Sequence, residues 1–216
     1  LDCVAQGSTG AREVANIAHG VVTALGLPGD MSRIATDLLD ECVHAAMRHI
    51  DEMKPLVLIG SAPCTPFSQL QSLNRKTQES ERKLKEGIEH MSFLVRLYKK
   101  QADQGRVFLH EQPANAKSWM LPEIRKMMTE VGVTVVEADQ CMYGLKTWAG
   151  KGGKLAHAKK PTRLMTNSRA LGKKLEQRCD KTHEHQQLLD GRASAAARYP
   201  QGLCKAICRG IVKAKM

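Results

Sequence analysis

The sequence lacks any apolar run that approaches the length of a membrane-spanning helix. A span needs about 18 or more consecutive apolar residues, and the 216 residues contain no such stretch. No signal-peptide pattern precedes the first predicted strand. We therefore predict no membrane partner and an intracellular location, either nuclear or cytoplasmic.

The cysteines lack the paired spacing of a disulfide scaffold. They lie at Cys3, Cys42, Cys64, Cys141, Cys179, Cys204 and Cys208. An odd number without scaffold-like spacing is typical of reduced thiols. This pattern also predicts an intracellular compartment, where thiols stay reduced.

Acidic residues are scarce in the last third of the chain. Residues 146–216 hold 17 Lys/Arg and 4 Asp/Glu, a net charge of +13, whereas residues 1–145 hold 16 and 18, a net charge of −2. This asymmetry favours a polyanion as partner, and a solvated basic face or an unstructured tail would also produce it. We predict nucleic acid, because the basic residues lie among loop and helix signals and not in a low-complexity block.

Strand-like and helix-like patterns alternate along the chain without an internal repeat. The alternation predicts an α/β fold with a mostly parallel sheet and helices on both faces. The predicted strands are 1–5, 21–25, 56–60, 106–110 and 133–138, and the predicted helices are 11–19, 32–53, 81–104, 122–131, 168–179 and 201–212. Two polar segments are predicted to be loops, 69–80 and 146–160, the second flexible and basic. The length fits one domain with a sizeable core and room for a small lobe.

Two motifs follow strand-like runs in the middle of the chain, Pro63-Cys64 and Glu111-Gln112-Pro113. Proline donates no hydrogen bond to a sheet ladder, so the first strand has to end at Pro63, and Cys64 projects from its carboxyl edge. Ligands of open α/β sheets bind at that edge. A thiol that adds to carbon 6 of cytosine and a carboxyl group that binds ring nitrogen 3 would fit this placement. The structural alternative is an apolar filler beside a helix cap or ion-pair partner.

These motifs resemble the Pro-Cys and Glu-Asn-Val motifs of DNA cytosine-5 methyltransferases. The resemblance implies a Rossmann-like fold that uses S-adenosylmethionine, with Cys64 and Glu111 as catalytic residues and DNA as partner. The segments 139–144, 159–167 and 192–207 resemble phage-type members, and similar domains occur in retroelement polyproteins. The family's Gln after the cysteine and Asn after the glutamate are replaced here by Thr65 and Gln112.

The resemblance also divides the chain. Residues 1–145 are predicted to form the methyltransferase-like core. Residues 146–216 are predicted to complete the fold and contact nucleic acid. We expect a monomer or a part of a longer polypeptide.

Methyl-donor binding is implied by residues near the start of the sequence. Gly7 and Gly10 resemble the glycine turn that lets the backbone approach the methionine moiety, and Asp30 resembles the acid that contacts adenine. Pro63 completes the predicted cofactor-binding set. A plain strand-to-helix turn would explain the two glycines as well, and Asp30 is also placed to cap the next helix. The acid expected on the ribose hydroxyls has no counterpart.

The residues predicted to contact nucleic acid are Ser68, Lys159, Lys160, Arg163 and Asn167. Ser68 would contact the backbone of a flipped nucleotide, and a structural turn hydroxyl is its alternative role. Lys159, Lys160 and Arg163 are candidate substitutes for the family's Gln-x-Arg-x-Arg segment, which is absent. The short stretch 146–160 stands where the family has a far longer target-recognition domain. We therefore predict weak sequence preference and an affinity that falls steeply with salt.

A Cys-x-x-x-His-x-His segment, Cys179 to His185, holds three residues of metal-ligating type. A fourth ligand would come from one of Cys141, Cys204 and Cys208. The spacing matches no standard zinc finger, and histidines are common at helix ends because of the helix dipole. We therefore predict no metal ligand.

Three functions stay open on the sequence alone. The first is a cytosine methyltransferase domain, working or formerly working. The second is a catalytically silent module of the same fold that binds nucleic acid or a partner. The third is an unrelated Cys-dependent enzyme, which is disfavoured because a regular strand points His110 away from the Glu111 face.

Overall fold

The computed structural model describes residues 32–72, 75, 77–148, 153–188, 193 and 196–215. The strands predicted at 1–5 and 21–25 and the helix predicted at 11–19 lie outside the described residues. The same holds for three of the four predicted cofactor contacts, Gly7, Gly10 and Asp30.

The described helices and strands largely follow the predicted order. The helices are α1 (Ser32–Met53), α2 (Gln78–Asp103), α3 (Pro122–Met128), α4 (Arg169–Leu175) and α5 (Gln201–Lys215). The strands are β1 (Val57–Gly60), β2 (Val107–Pro113), β3 (Thr134–Asp139), β4 (Lys146–Trp148), β5 (Leu155–His157) and β6 (Pro161–Thr166). Single 3-10 turns cover Thr65–Phe67, Gln69–Ser72, Lys117–Met120 and Gln140–Tyr143. None of the helices in the described part of the chain is long and apolar enough to cross a membrane.

The chain divides into two compact units, Leu1–Ile59 and Gly60–Met216. The described part of the first unit consists of α1 and the start of β1. α1 ends where Lys54 adopts a left-handed φ of 43°, with its N–H bonded to the Ile50 carbonyl at 3.0 Å. Pro55 follows, and it cannot continue a helix.

α2 is the long amphipathic helix that the sequence predicts. It begins at a reciprocal cap, in which Thr77 Oγ1 accepts from the Ser80 N–H at 3.1 Å and Ser80 Oγ accepts from the Thr77 N–H at 2.9 Å. Five apolar residues share one stripe of this helix, and four of them are buried, namely Met91, Leu94, Val95 and Tyr98. The fifth, Ile88, is 38% exposed.

The main sheet is mixed and only partly parallel. Its described strands have the order β1-β2-β6-β3. β6 runs antiparallel to β2 on one side and to β3 on the other, while the sheet also includes parallel pairing. The expectation of a mostly parallel sheet is therefore met only in part. The reason lies between β3 and β6, where the described residues contain no crossover helix of the kind that a parallel return needs.

Helices cover both faces of this sheet. Tyr98 of α2 bonds to His110, which places α2 on the His110 face of β2. Gly172 of α4 packs against Thr134 and Val136 of β3, and Val136 is paired through Leu164 with Glu111. Because cross-strand partners share a face, α4 lies on the Glu111 face.

The segment 146–160 is not the unstructured loop that the sequence predicts. β4 and β5 pair antiparallel within it, with Lys146 opposite His157 and Trp148 opposite Leu155. Three-residue strands are too short to show a periodicity in sequence. The following strand β6 was also not predicted, although its side chains at Leu164 and Met165 are fully buried.

The last residue of β1, Gly60, has no space for a side chain. We expect Gly60→Ala to destabilise the second unit. A Cβ at Gly60 would lie 1.9 Å from the Tyr98 hydroxyl and 3.1 Å from Leu94 Cδ2. Tyr98 is completely buried, so its ring has to shift. Overpacking of this kind costs about 1–3 kcal/mol, which urea unfolding would measure.

A double-mutant cycle with Tyr98→Phe isolates the contact. Removing the hydroxyl relieves the closest clash, so the cost of Gly60→Ala should shrink in the Tyr98→Phe background. Strictly additive effects would show that the two groups do not collide.

Candidate active site

Cys64 lies on a short loop that is held in place by the buried ring of Phe67. Its side chain is exposed, and it precedes the 3-10 turn Thr65–Phe67, whose Phe67 N–H bonds to the Cys64 carbonyl at 3.0 Å. The Phe67 ring is only 1% exposed. Gly87 of α2 lets the helix approach this ring, since a Cβ there would come within 3.2 Å of it. The thiol is thus accessible while the turn beside it is fixed by a buried ring.

Glu111 is buried and half of its carboxyl group is held in place. Its Oε2 accepts two hydrogen bonds of 2.7 Å, from the Ser61 hydroxyl and from the Tyr199 hydroxyl. Its Oε1 is also buried but has no hydrogen-bond partner among the described residues. Buried carboxyl oxygens are rarely left unpaired. The arrangement therefore offers one fixed oxygen and one oxygen able to bind a ligand.

The Cys64 loop is tied to β2 through two consecutive residues of each. Ser61 bonds to Glu111, and the Gln112 side-chain amide donates to the Ala62 carbonyl at 2.6 Å. Glu111 and Gln112 point to opposite faces of β2. The loop is therefore hydrogen-bonded to side chains on both faces of the strand. The loop after β1 is thereby brought to the Glu111 motif, but Glu111 lies within β2, which extends to Pro113, and does not follow the strand as the sequence predicts.

Tyr199 is a site residue that sequence reasoning did not assign. Burial, and next the charge of Glu111, raise the pKa of Tyr199 well above its usual value. The phenol therefore stays protonated and remains a donor to Glu111. Lys160 lies over the Tyr199 ring, with Nζ 6.0 Å from the ring centroid. The signal in the sequence was the Tyr199-Pro200 step just before the last helix, in a segment where only the resemblance suggested a role.

The other predicted contacts are spread over the fold. Pro63 is exposed beside Cys64, and Ser68 closes the 3-10 turn with its N–H bonded to the Thr65 carbonyl at 3.2 Å. Lys159 lies 3.8 Å from Asp139 at the end of β3. Lys160 is the one among the predicted basic residues that lies beside Tyr199.

Arg163 and Asn167 are not brought to Glu111. Arg163 pairs with Gln112 across the sheet, on the face opposite Glu111, and its guanidinium bonds to Glu137 at 2.9 Å. Asn167 joins the start of β2, donating to the Arg106 carbonyl at 2.8 Å and accepting from the Phe108 N–H at 2.9 Å. Its amide is thus engaged at the other end of the strand.

His110 lies on the face opposite Glu111. Its Nδ1 is 2.9 Å from the Tyr98 hydroxyl, and its ring packs edge-on against Trp119. Burial lowers the pKa of His110 to about 3. The side chain is a neutral core histidine and is not positioned as a base for Cys64.

A second cluster of reactive groups lies beyond β3. Cys141, Cys179, His183 and His185 bring their potential ligand atoms within 4.8 Å of one another. No metal ligand was predicted here, because the spacing of Cys179, His183 and His185 matches no standard zinc finger, and Cys141 was one of three candidates for a fourth ligand.

Comparison of the chain with protein-family models, with curated proteins and with solved structures gives no match. The described residues define a mixed α/β domain.

Burial of His110 predicts a pH-dependent stability. In the unfolded chain the imidazole binds a proton below about pH 6.5, whereas in the fold it stays neutral down to about pH 3. The unfolded state therefore binds more protons between these values, and the free energy of unfolding falls as the pH falls. We expect a loss of about 2 kcal/mol from this residue between pH 6.5 and pH 5.

The variant His110→Gln can still accept from Tyr98 and lacks this titration. Urea unfolding of this variant at pH 6.5 and pH 5 should no longer show the fall in the free energy of unfolding that His110 causes. His49→Gln, which changes an exposed histidine of α1, should keep the wild-type dependence. Equal pH dependence in all three proteins would contradict a neutral buried His110.

Proposed function

We propose that this chain is a DNA cytosine-5 methyltransferase-like domain on a Rossmann-like fold, in which Cys64 forms a covalent bond to the target base. The observation that supports this most is Glu111, a buried carboxyl group with Oε2 fixed by two hydroxyls and Oε1 without a partner among the described residues. An exposed thiol on the loop bonded to the same strand supplies the nucleophile.

The chemistry on the base follows from these two groups. The Cys64 thiolate adds to carbon 6 of the flipped cytosine, forming the C–S bond, while the electrons of the C5–C6 double bond move onto carbon 5. The Glu111 carboxyl group binds ring nitrogen 3 and stabilises this charge. Carbon 5 then accepts an electrophile and loses its proton. A base takes that proton, and the electron pair of the broken C–H bond reforms the C5–C6 double bond as the Cys64 thiolate leaves.

S-adenosylmethionine is the methyl donor that the resemblance implies, and when bound it supplies an electrophilic methyl group for carbon 5. Its predicted contacts Gly7, Gly10 and Asp30 lie outside the described residues. Pro63 is exposed at the end of β1, next to the proposed nucleophile. The described residues therefore support the half of the reaction that acts on the base.

A basic ridge on α5 supports DNA as the partner. Lys205, Arg209 and Lys213 are exposed and spaced four residues apart, so they follow one line along the helix. The opposite side of α5 is buried, including Leu203 and Ile207, and the helix contains no acidic residue. A row of cations on a helix that itself carries no acid suits the phosphates of a nucleic acid backbone.

The alternative function is a silent nucleic-acid-binding module of the same fold. The α5 ridge favours it independently, because that surface needs neither Cys64 nor Glu111 to bind phosphate. The two functions differ in one respect that can be measured, which is covalent chemistry at cytosine.

Addition of Cys64 predicts a stable adduct with 5-fluorocytosine. Fluorine leaves no proton to remove from carbon 5, so the C–S bond persists after methyl transfer. Intact mass of the protein with 5-fluorocytosine DNA and S-adenosylmethionine should show protein, DNA and a methyl group joined. Cys64→Ser should abolish this adduct, and Cys208→Ser on α5 is the matched control that should retain it.

The same addition is measurable without a methyl donor. Carbon 5 of the adduct accepts a deuteron from heavy water and loses its original proton, so hydrogen exchange at carbon 5 reports the step alone. We expect Glu111→Gln, which keeps an acceptor for Ser61 and Tyr199, to slow this exchange by about 10²–10³-fold. Exchange without methylation would locate a defect in donor binding. Absence of both, with DNA still bound, would favour the silent module.

The α5 ridge predicts that DNA binding depends on three particular cations. Replacing Lys205, Arg209 and Lys213 together by Glu should lower the slope of log affinity against log salt by about 0.9 for each phosphate that is no longer neutralised. The control carries the same charge change on exposed residues of the α3 region, Lys117, Arg125 and Lys126. Equal effects of the two triple variants would indicate net charge alone and contradict a ridge-specific interaction.

A further inference from the structure

The cluster beyond β3 has the interatomic distances of a metal site. The Cys179 sulfur lies 3.8 Å from His183 Nε2 and 3.3 Å from His185 Nε2, and the Cys141 sulfur lies 3.4 Å from His185 Nε2. A tetrahedral zinc ion with the usual Zn–S and Zn–N bond lengths separates sulfur and nitrogen ligands by about 3.6 Å. The three distances lie on both sides of that value.

The loop with three of these residues is held at both ends by backbone pairing. Before the ligands, the Asp139 N–H donates to the Gln177 carbonyl at 2.9 Å. After them, the Gln186 N–H donates to the His157 carbonyl at 2.9 Å. Cys141 lies on the 3-10 turn that directly follows β3. The four ligands are therefore presented by fixed parts of the second unit.

Hydrogen bonds of the backbone around Cys179 fix the position of its sulfur. The Lys181 N–H donates to the Cys179 sulfur at 3.3 Å. Lys181 adopts a left-handed φ of 62°, a conformation that is uncommon for a residue other than glycine and persists only where the surroundings enforce it. The Cys179 N–H is itself fixed by Asp139 Oδ2 at 2.9 Å. The sulfur is thus held in place by the chain on both sides of it.

We propose that Cys141, Cys179, His183 and His185 bind a structural zinc ion. Two thiolates and two imidazoles are a ligand set that suits tetrahedral zinc. All four positions are filled by protein groups, and catalytic zinc sites keep one position open. The two thiolates balance the charge of the ion, which suits a neutral centre within the basic part of the chain. This site is independent of methyl transfer and of Cys64.

The competing explanation is a set of thiol–imidazole hydrogen bonds without a metal, since sulfur–nitrogen distances near 3.3 Å also fit such bonds.

The metal content of the protein distinguishes a zinc site from such hydrogen bonds. The whole chain, purified with reductant and dialysed against metal-free buffer after zinc loading, should retain one zinc ion per chain by elemental analysis. Cobalt(II) in its place should give the intense visible bands and sulfur charge-transfer absorption of tetrahedral thiolate coordination.

Variants assign the ion to these ligands. Cys141→Ser and His185→Gln should each release zinc and remove the sulfur charge-transfer or shift its bands, whereas Cys204→Ser and Cys208→Ser should retain the ion. Strong chelation of the wild type should lower Tm by roughly 5–10 °C, reversed by added zinc.

The wild-type measurements stand even where a ligand variant fails to fold. Wild-type protein that retains no zinc, or cobalt bands typical of six oxygen or nitrogen ligands, would overturn the proposal. So would full zinc retention in both Cys141→Ser and His185→Gln.

Discussion

The insertion of β6 between β2 and β3 is the constraint on which the described architecture of the second unit depends. Its residues pair with both neighbours at once, so that Leu164 lies opposite Glu111 on one side and Val136 on the other. Because β6 runs against both, β2 and β3 run in the same direction and end at the same edge of the sheet. Glu111 in β2 and Asp139 at the end of β3 therefore lie towards the same edge of the sheet.

That shared edge explains why two chemically different clusters lie close to the start of β6. Lys159 reaches Asp139, whose carboxylate also accepts from the Cys179 N–H. The next residue, Lys160, lies over Tyr199, which donates to Glu111. Two consecutive residues, Lys159 and Lys160, thus lie beside Asp139 of the cysteine–histidine cluster and Tyr199 of the Glu111 site. Asp139 is only 1% exposed, and its several donors offset the burial of a charge.

The parts of the fold that could be predicted from sequence are those whose information is local. α1 and α2 show an apolar stripe over many turns, and β1 ends at Gly60, three residues before Pro63, which can donate no ladder bond. The orientation of His110 away from Glu111 followed from strand alternation alone. The β4–β5 pair could not be predicted because three-residue strands are too short for a periodicity, and β6 because its buried residues do not alternate with exposed ones.

The residues of the Glu111 site and of the cysteine–histidine cluster also divide into those with a local sequence signal and those without one. Cys64 follows β1 and Glu111 lies within β2, and each belongs to a short motif that can be recognised in the sequence. Ser61 and Tyr199 could be connected to Glu111 only through the tertiary fold, since 138 positions separate them in the sequence. Cys141 joins the Cys179 loop for the same reason. Sequence spacing gives three candidate ligands, and only the packing of β3 selects the fourth.

The two hydroxyls on Glu111 Oε2 have a consequence for the order of events during protein synthesis. Ser61 is made early in the second unit, and Tyr199 emerges from the ribosome long after β2 has been translated. Until then the carboxyl group has only one of its two donors, whatever the state of the sheet around it. Contacts across such sequence distances form late and slowly. The arrangement at Glu111 is therefore completed only after Tyr199 has been translated.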